Sequence, residues 1–149
     1  MDTKSNETNF NKLIHELLNG KKWEDRANAA LKLGYLKDAR AINSILKAIK
    51  IEQNDAVINR IIEALGRIGD PKATMLIVDN LKKELEKPEV EQDKNRLFLI
   101  VESLMKLGDK RALEHLGLLL NSCDENVKTL TEKAFECIDP NWKNNIKKL

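Results

Sequence analysis

Apolar residues in this chain recur at three- and four-residue intervals, in blocks separated by short polar breaks. One set of blocks comprises Ala27, Ala30, Leu31 and Leu33; Ile58, Ile61, Ile62 and Leu65; and Leu97, Ile100, Val101 and Leu104. A second set alternates with it along the chain: Ala41, Ile42, Ile45, Leu46 and Ile49; Ala73, Leu76, Ile77, Val78 and Leu81; and Ala112, Leu113, Leu116, Leu119 and Leu120. This spacing puts one apolar stripe on each of a series of helices, whereas strands would alternate every second residue. Upstream, Phe10, Leu13, Ile14, Leu17 and Leu18 predict a lone helix over residues 9–20 that Gly20 stops. The pattern predicts an all-α chain.

The breaks between paired blocks resemble one another. Leu65-Gly66-Arg67-Ile68-Gly69-Asp70-Pro71-Lys72-Ala73 is echoed by Leu33-Gly34-Tyr35-Leu36-Lys37-Asp38-Ala39-Arg40-Ala41 and by Leu104-Met105-Lys106-Leu107-Gly108-Asp109-Lys110-Arg111-Ala112. A degenerate fourth copy runs from Ala134 to Trp142. The aspartates at 38, 70, 109 and 139 are spaced by 32, 39 and 30 residues, in or near the range of helical-hairpin repeats. Each position has a mechanical reason. Gly69 and Gly108 suit the left-handed turn that ends a helix. Asp70 then offers a carboxylate to the free N–H groups of the next helix, and Pro71 fits its first position. Small Ala three residues after the Asp lets the paired helices approach closely.

These motifs resemble the HEAT-like repeats of the phycobilin-lyase type, whose pattern reads roughly A-L-G-x-I-G-D-P-x-A. Residues Ala64 to Ala73 match most fully, and the likeness covers about residues 23–142. The resemblance implies an α-α superhelix of about four hairpin repeats with the second helices lining the concave side. It identifies a fold rather than an activity, since such repeats serve as scaffolds, adaptors and lyase subunits. The expected organisation is a single domain over 1–149, with a capping helix at 9–20 and repeats at 23–51, 54–86, 88–121 and 124–149. Trp142 stands where the other copies have Ala, which marks the last unit as a cap together with an amphipathic helix over Asn141–Leu149. The longer spacing places about seven extra residues around Lys82–Asp93. The simplest expectation adds one turn to the second helix of repeat two and one to the first helix of repeat three, with Pro88 between them. A protruding hairpin that contacts a partner and a tolerated insertion both fit this segment.

Composition narrows the function. Of 149 residues, 42% are hydrophobic and 34% charged, but 26 Lys and Arg against 24 Asp and Glu leave a net charge of only +2. That balance gives no general drive toward nucleic acid or an anionic membrane. No apolar run approaches a membrane span, and the polar start shows no signal core, so a cytoplasmic protein is expected. No phosphate-binding glycine loop, zinc-spacing motif or nucleophile elbow occurs. His15 and His115 are far apart in sequence. Cys123 falls at a helix boundary and Cys137 on an apolar stripe, so no metal or cofactor is expected.

The expected function is therefore non-catalytic: a protein-interaction scaffold or adaptor whose concave face grips an acidic or amphipathic partner segment. Arg40, Lys72 and Arg111 form a candidate basic row, each two residues after its aspartate. Asn43, Lys47, Met75, Asp79, Glu114, His115 and Leu118 are the other candidate partner-binding positions, against the plainer expectation of an ordinary solvated face. Two alternatives stay open. The resemblance implies a chromophore-lyase subunit, and a basic groove would imply a nucleic-acid-binding HEAT-like protein, though the low net charge argues against the latter.

Overall fold

A computed structural model describes residues 3–146 of the chain, and its side chains from residue 4 to residue 145. Among these, every regular element is helical: α1 Thr3–Asn19, α2 Trp23–Leu36, α3 Ile42–Ile51, α4 Asp55–Ile68, α5 Thr74–Leu85, α6 Lys94–Leu107, α7 Leu113–Leu116, α8 Glu125–Ile138 and α9 Trp142–Ile146. Short 3-10 turns at Ala39–Ala41, Pro71–Ala73 and Lys110–Ala112 precede α3, α5 and α7. Contacts gather the helices into two compact units that divide between Ala73 and Thr74.

In the first unit α2 lies against α4, α3 also packs on α4, and α1 packs across both α2 and α3. The α2 side of the main contact is built from small residues: Ala29, Ala30 and Gly34 are buried beside Leu33. Opposite, α4 buries Val57, Ile61, Ile62, Ala64 and Leu65. Fully burying each large aliphatic side chain contributes about 1.5–3 kcal/mol, so the stripe of α4 is a main source of this unit's stability. The helix ends follow local chemistry. Asn54 opens α4 by accepting the N–H groups of Ala56 and Val57 at 2.9 and 3.2 Å. Gly69 closes it in the left-handed region at φ 79°. The equivalent residue after α2 is Lys37, at φ 51°, the only non-glycine residue with positive φ among those described.

In the second unit α6 lies against α8, α5 packs on α6 and α7, and α7 with its following turn packs on α8. Asp93 and Asp124 cap α6 and α8 through N–H groups of Arg96, Asn126 and Val127. Gly108 ends α6 at φ 65°. At the far end the Trp142 ring packs on Phe135 with centroids 5.0 Å apart, and its Nε1–H donates to Glu136 at 2.7 Å.

The four aspartates open one and the same turn. Asp38, Asp70, Asp109 and Asp139 accept the N–H of the residue two further on, at 2.9, 2.9, 3.0 and 3.1 Å. Their carbonyls accept from Ala41, Ala73, Ala112 and Trp142, three residues on, at 3.0–3.1 Å. This three-residue return makes the opening a 3-10 turn rather than the first turn of an α-helix. Ala41, Ala73 and Ala112 are completely buried at its end.

Several expectations need correction. Helix α1 begins at Thr3, ahead of its apolar stripe. The extra residues near Lys82–Asp93 do not lengthen the first helix of repeat three, since α6 has 14 residues like α2 and α4. The second helix of repeat two gains only two residues, α5 having 12 against 10 in α3, and the rest form a loop with a 3-10 turn at Glu89–Glu91. Pro88 disfavours helix at the residue before it, and the buried Glu84 carboxylate holds the loop by accepting the Asp93 N–H at 2.8 Å and the Lys87 ammonium at 3.1 Å. The second helix of repeat three leaves α geometry after Leu116 and continues as a 3-10 helix over Gly117–Asn121. Cys137 is exposed rather than part of an apolar stripe. Of the expected helix over Asn141–Leu149, α9 covers Trp142–Ile146, and 147–149 lie outside the described residues.

Candidate functional site

Counted from each aspartate, the candidate residues fall into a few repeat positions. The second residue after it is Arg40, Lys72 or Arg111, the fifth is Asn43, Met75 or Glu114, and the ninth is Lys47, Asp79 or Leu118. All nine are exposed, while the residues between the fifth and ninth positions are buried or half-buried. His115, at the sixth position, is half-buried like Ser44 and Leu76. These repeat positions define the outward face of α3 in the first unit, and of α5 and α7 with its 3-10 continuation in the second.

The basic row is not a row of free cations. Arg40 folds back on Asp38, with Nε 3.1 Å and Nη2 2.7 Å from Oδ2. Arg111 repeats this on Asp109 at 3.0 and 2.7 Å. The planar guanidinium fits the carboxylate side-on while the same carboxylate accepts the arginine's own backbone N–H. The Arg111 guanidinium, with that backbone N–H, holds the Asp109 carboxyl down at about 2. The Arg40 guanidinium likewise lowers Asp38 and is itself raised. Lys72 has no such fork, and Asp70 accepts only its backbone N–H. Arg40 has a second commitment: its guanidinium lies over the Phe10 ring of α1, 4.7 Å from the centroid.

The second unit presents a different surface. Met75 and Asp79 lie four residues apart on α5, hence on one face, and Glu114 on the neighbouring α7 and Leu118 on its 3-10 continuation occupy the same repeat positions. Met75 is 37% exposed and Leu118 65%. Leu116 and Leu119, on either side of Leu118, are buried. The structure thus brings Met75, Asp79, Glu114 and Leu118 onto packed helices of one unit, while Asn43 and Lys47 share α3 in the other.

Two constellations escaped the sequence. Arg26 on α2 donates to Glu52 from Nε at 2.8 Å and Nη2 at 3.1 Å, and from Nη1 to the Gly20 carbonyl at 2.9 Å. Glu52 also accepts the N–H groups of Gln53 and Asn54. Burial pushes its carboxyl up, but Arg26 and these N–H groups outweigh burial and hold it below the usual range. One carboxylate thereby joins the end of α1, the start of α2 and the α3–α4 connection. The second constellation is a cleft of about 990 Å³ beside α1, where Phe10 and Leu13 meet Lys32, Tyr35 and Leu36 of α2.

Among the described residues, no group of three or more His, Cys, Asp and Glu side chains is arranged to hold a metal, and no helix is long and apolar enough to cross a membrane. Compared with known families, residues 10–92 match the family described as HEAT repeats, more than half of the chain. No curated protein matches it.

Proposed function

The chain belongs to the HEAT repeat family, and from that premise we propose that it is a non-catalytic scaffold or adaptor holding a segment of another protein on the exposed face of the helices that follow its aspartate turns. HEAT repeats commonly mediate protein–protein interaction. The observation that carries the proposal is Leu118, a large aliphatic side chain standing 65% exposed between buried Leu116, at the end of α7, and buried Leu119. With Met75 on the packed neighbour α5 it supplies apolar contact, and Asp79 and Glu114 supply a polar rim. A face of this composition, with an apolar and a carboxylate side chain exposed on each of two packed elements, suits an amphipathic segment. Arg40 and Arg111 favour that choice over an acidic segment, because their charge is already spent on Asp38 and Asp109. Asn43, Lys47 and Lys72 are the polar contacts the proposal assigns to the first unit, and half-buried His115 lines the rim beside Glu114.

The test is affinity capture from the native host with the wild-type chain and a Leu118→Asp variant as parallel baits, identified by mass spectrometry. Leu118 is exposed, so the variant keeps its helical circular dichroism. The expected result is a protein held by the wild type and lost by the variant. Equal capture by both baits rules this face out. A visible absorbance shift on mixing the chain with a bilin would replace the scaffold reading with the lyase-type one.

A further inference from the structure

Three side chains fix where the helices that follow the aspartate turns come to an end. Glu52 accepts the N–H of Asn54 at 3.1 Å, Glu84 that of Asp93 at 2.8 Å, and Ser122 that of Asp124 at 3.2 Å. Asn54, Asp93 and Asp124 are in turn the N-caps of α4, α6 and α8. Counted from Asp38, Asp70 and Asp109, these acceptors stand 14, 14 and 13 residues on. The same two local features therefore bracket each of these helices, and the third has one residue fewer between them. The third is also the one that leaves α geometry, over the five residues Gly117–Asn121. A 3-10 helix climbs about 2.0 Å per residue against about 1.5 Å, so five residues gain about 2.5 Å, which covers the missing step. Composition does not account for the change. Leu118, Leu119 and Leu120 are strong α formers, and Gly66 lies within α4 without rewinding it. A Cβ at Gly117 would meet nothing within 4 Å, so close packing does not require that glycine.

The winding decides which way the leucines point. From Leu116 onward, successive residues turn by about 100° in an α-helix and about 120° in a 3-10 helix. Leu119 thus comes back over Leu116, and both are buried. Leu120 is carried about 80° further round than α winding would take it, and Leu118 about 40° further. The difference shows against the repeat equivalents of Leu120: Ile49 and Leu81 are buried, but Leu120 is half-buried. We propose that the one-residue shortfall is a device that sets the partner face. It holds Gly117–Asn121 in the 3-10 form, which turns Leu120 partly outward and fixes the direction of Leu118, and the segment returns to α-helix when the missing residue is supplied. The part of this device in recognition rests on the Leu118 reading, and the winding itself does not.

One alanine inserted between Asn121 and Ser122 tests it, with hydroxyl-radical footprinting of the full chain read residue by residue in a mass spectrometer. In the wild type, Leu120 is oxidised several times faster than Leu81, its repeat equivalent and a side chain of the same intrinsic reactivity. With the insertion, Leu120 falls to the rate of Leu81 and Leu118 stays fast. The urea midpoint rises, because a leucine has gained burial. The same alanine placed between Val90 and Glu91, in the loop, leaves Leu120 unchanged. An inserted chain in which Leu120 stays as reactive as in the wild type, or whose midpoint falls, overturns the proposal, since the helix has then not taken the residue up. As a third bait in the capture experiment, the inserted chain holds severalfold less of the protein that the wild type retains. Capture that survives the insertion but not Leu118→Asp overturns the part of the winding in recognition and keeps the face. Capture indifferent to Leu118→Asp overturns the face itself.

Discussion

Gly34 sits in the middle of α2, where propensity and packing pull in opposite directions. Replacing an interior helical glycine with alanine ordinarily stabilises a helix by about 1 kcal/mol. At Gly34 the new Cβ would stand 2.9 Å from the Cα and 3.1 Å from the Cβ of Ala64 on α4. A backbone carbon cannot rotate aside, so α4 itself must move by several tenths of an ångström. That movement loosens the packing of Ile61, Ile62 and Leu65, which are fully buried. Overpacking of this kind costs about 1–3 kcal/mol, which outweighs the propensity gain and leaves Gly34→Ala about 1 kcal/mol less stable. Gly34→Val, with two further methyl groups, falls at or beyond the upper end. The assay is urea unfolding followed by far-ultraviolet circular dichroism. With a slope of about 1.5 kcal/mol/M, the alanine variant's midpoint drops by roughly 0.7 M with the slope unchanged. Adding Ala64→Gly rescues only part of the loss, since it removes the contact to Cβ and leaves the closer one to Cα. A midpoint that rises in Gly34→Ala would refute the close approach of α2 and α4.

Lys37 pays the usual strain of a left-handed L-residue without the glycine that Gly69 and Gly108 supply. Lys37→Gly is expected to raise stability by about 1 kcal/mol in the same titration, and a loss would mean that the lysine side chain contributes contacts. Asp109 predicts a pH dependence. Its carboxyl is held at about 2 in the folded chain, below its unfolded value, so the Arg111 contact stabilises at all pH values above that unfolded value. The contribution disappears as pH falls toward 2. Water around the exposed guanidinium screens the pair, which leaves on the order of 1 kcal/mol. Asp109→Asn keeps a capping oxygen but no charge. Between pH 5 and pH 2 the wild type therefore loses more thermal stability than the variant, and parallel pH profiles would contradict the pairing.

The repeat was legible because its signals are local. A left-handed glycine, an aspartate cap and a stripe of Leu and Ile act within one or two turns, and four aspartates in one spacing pattern exposed the period. What stayed hidden depends on choices between local options or on distant partners. Capping chemistry is the same for a 3-10 and an α opening, so the turns at Ala39–Ala41, Pro71–Ala73 and Lys110–Ala112 could not be told from helix starts. Pro88 reads equally well as a helix start and as a loop residue, and Glu84, buried nine residues before Asp93, settled it. The first turns of α1 carry no apolar stripe from which to read them. Arg40 and Arg111 look like free cations until the turn brings each guanidinium round to its own aspartate. The cleft beside α1 is a matter of what fails to cover Tyr35 and Leu36, which no pattern of spacing records.

Partner binding through the exposed face of the helices that follow the aspartate turns is tested most directly by photo-crosslinking in extract of the native host. A photoreactive residue is placed at Leu118 in one chain and at Glu132, exposed on α8, in another. The account predicts a discrete adduct from the Leu118 position and none of the same mass from the Glu132 position. Identical adducts from both positions, or from Glu132 alone, would contradict it.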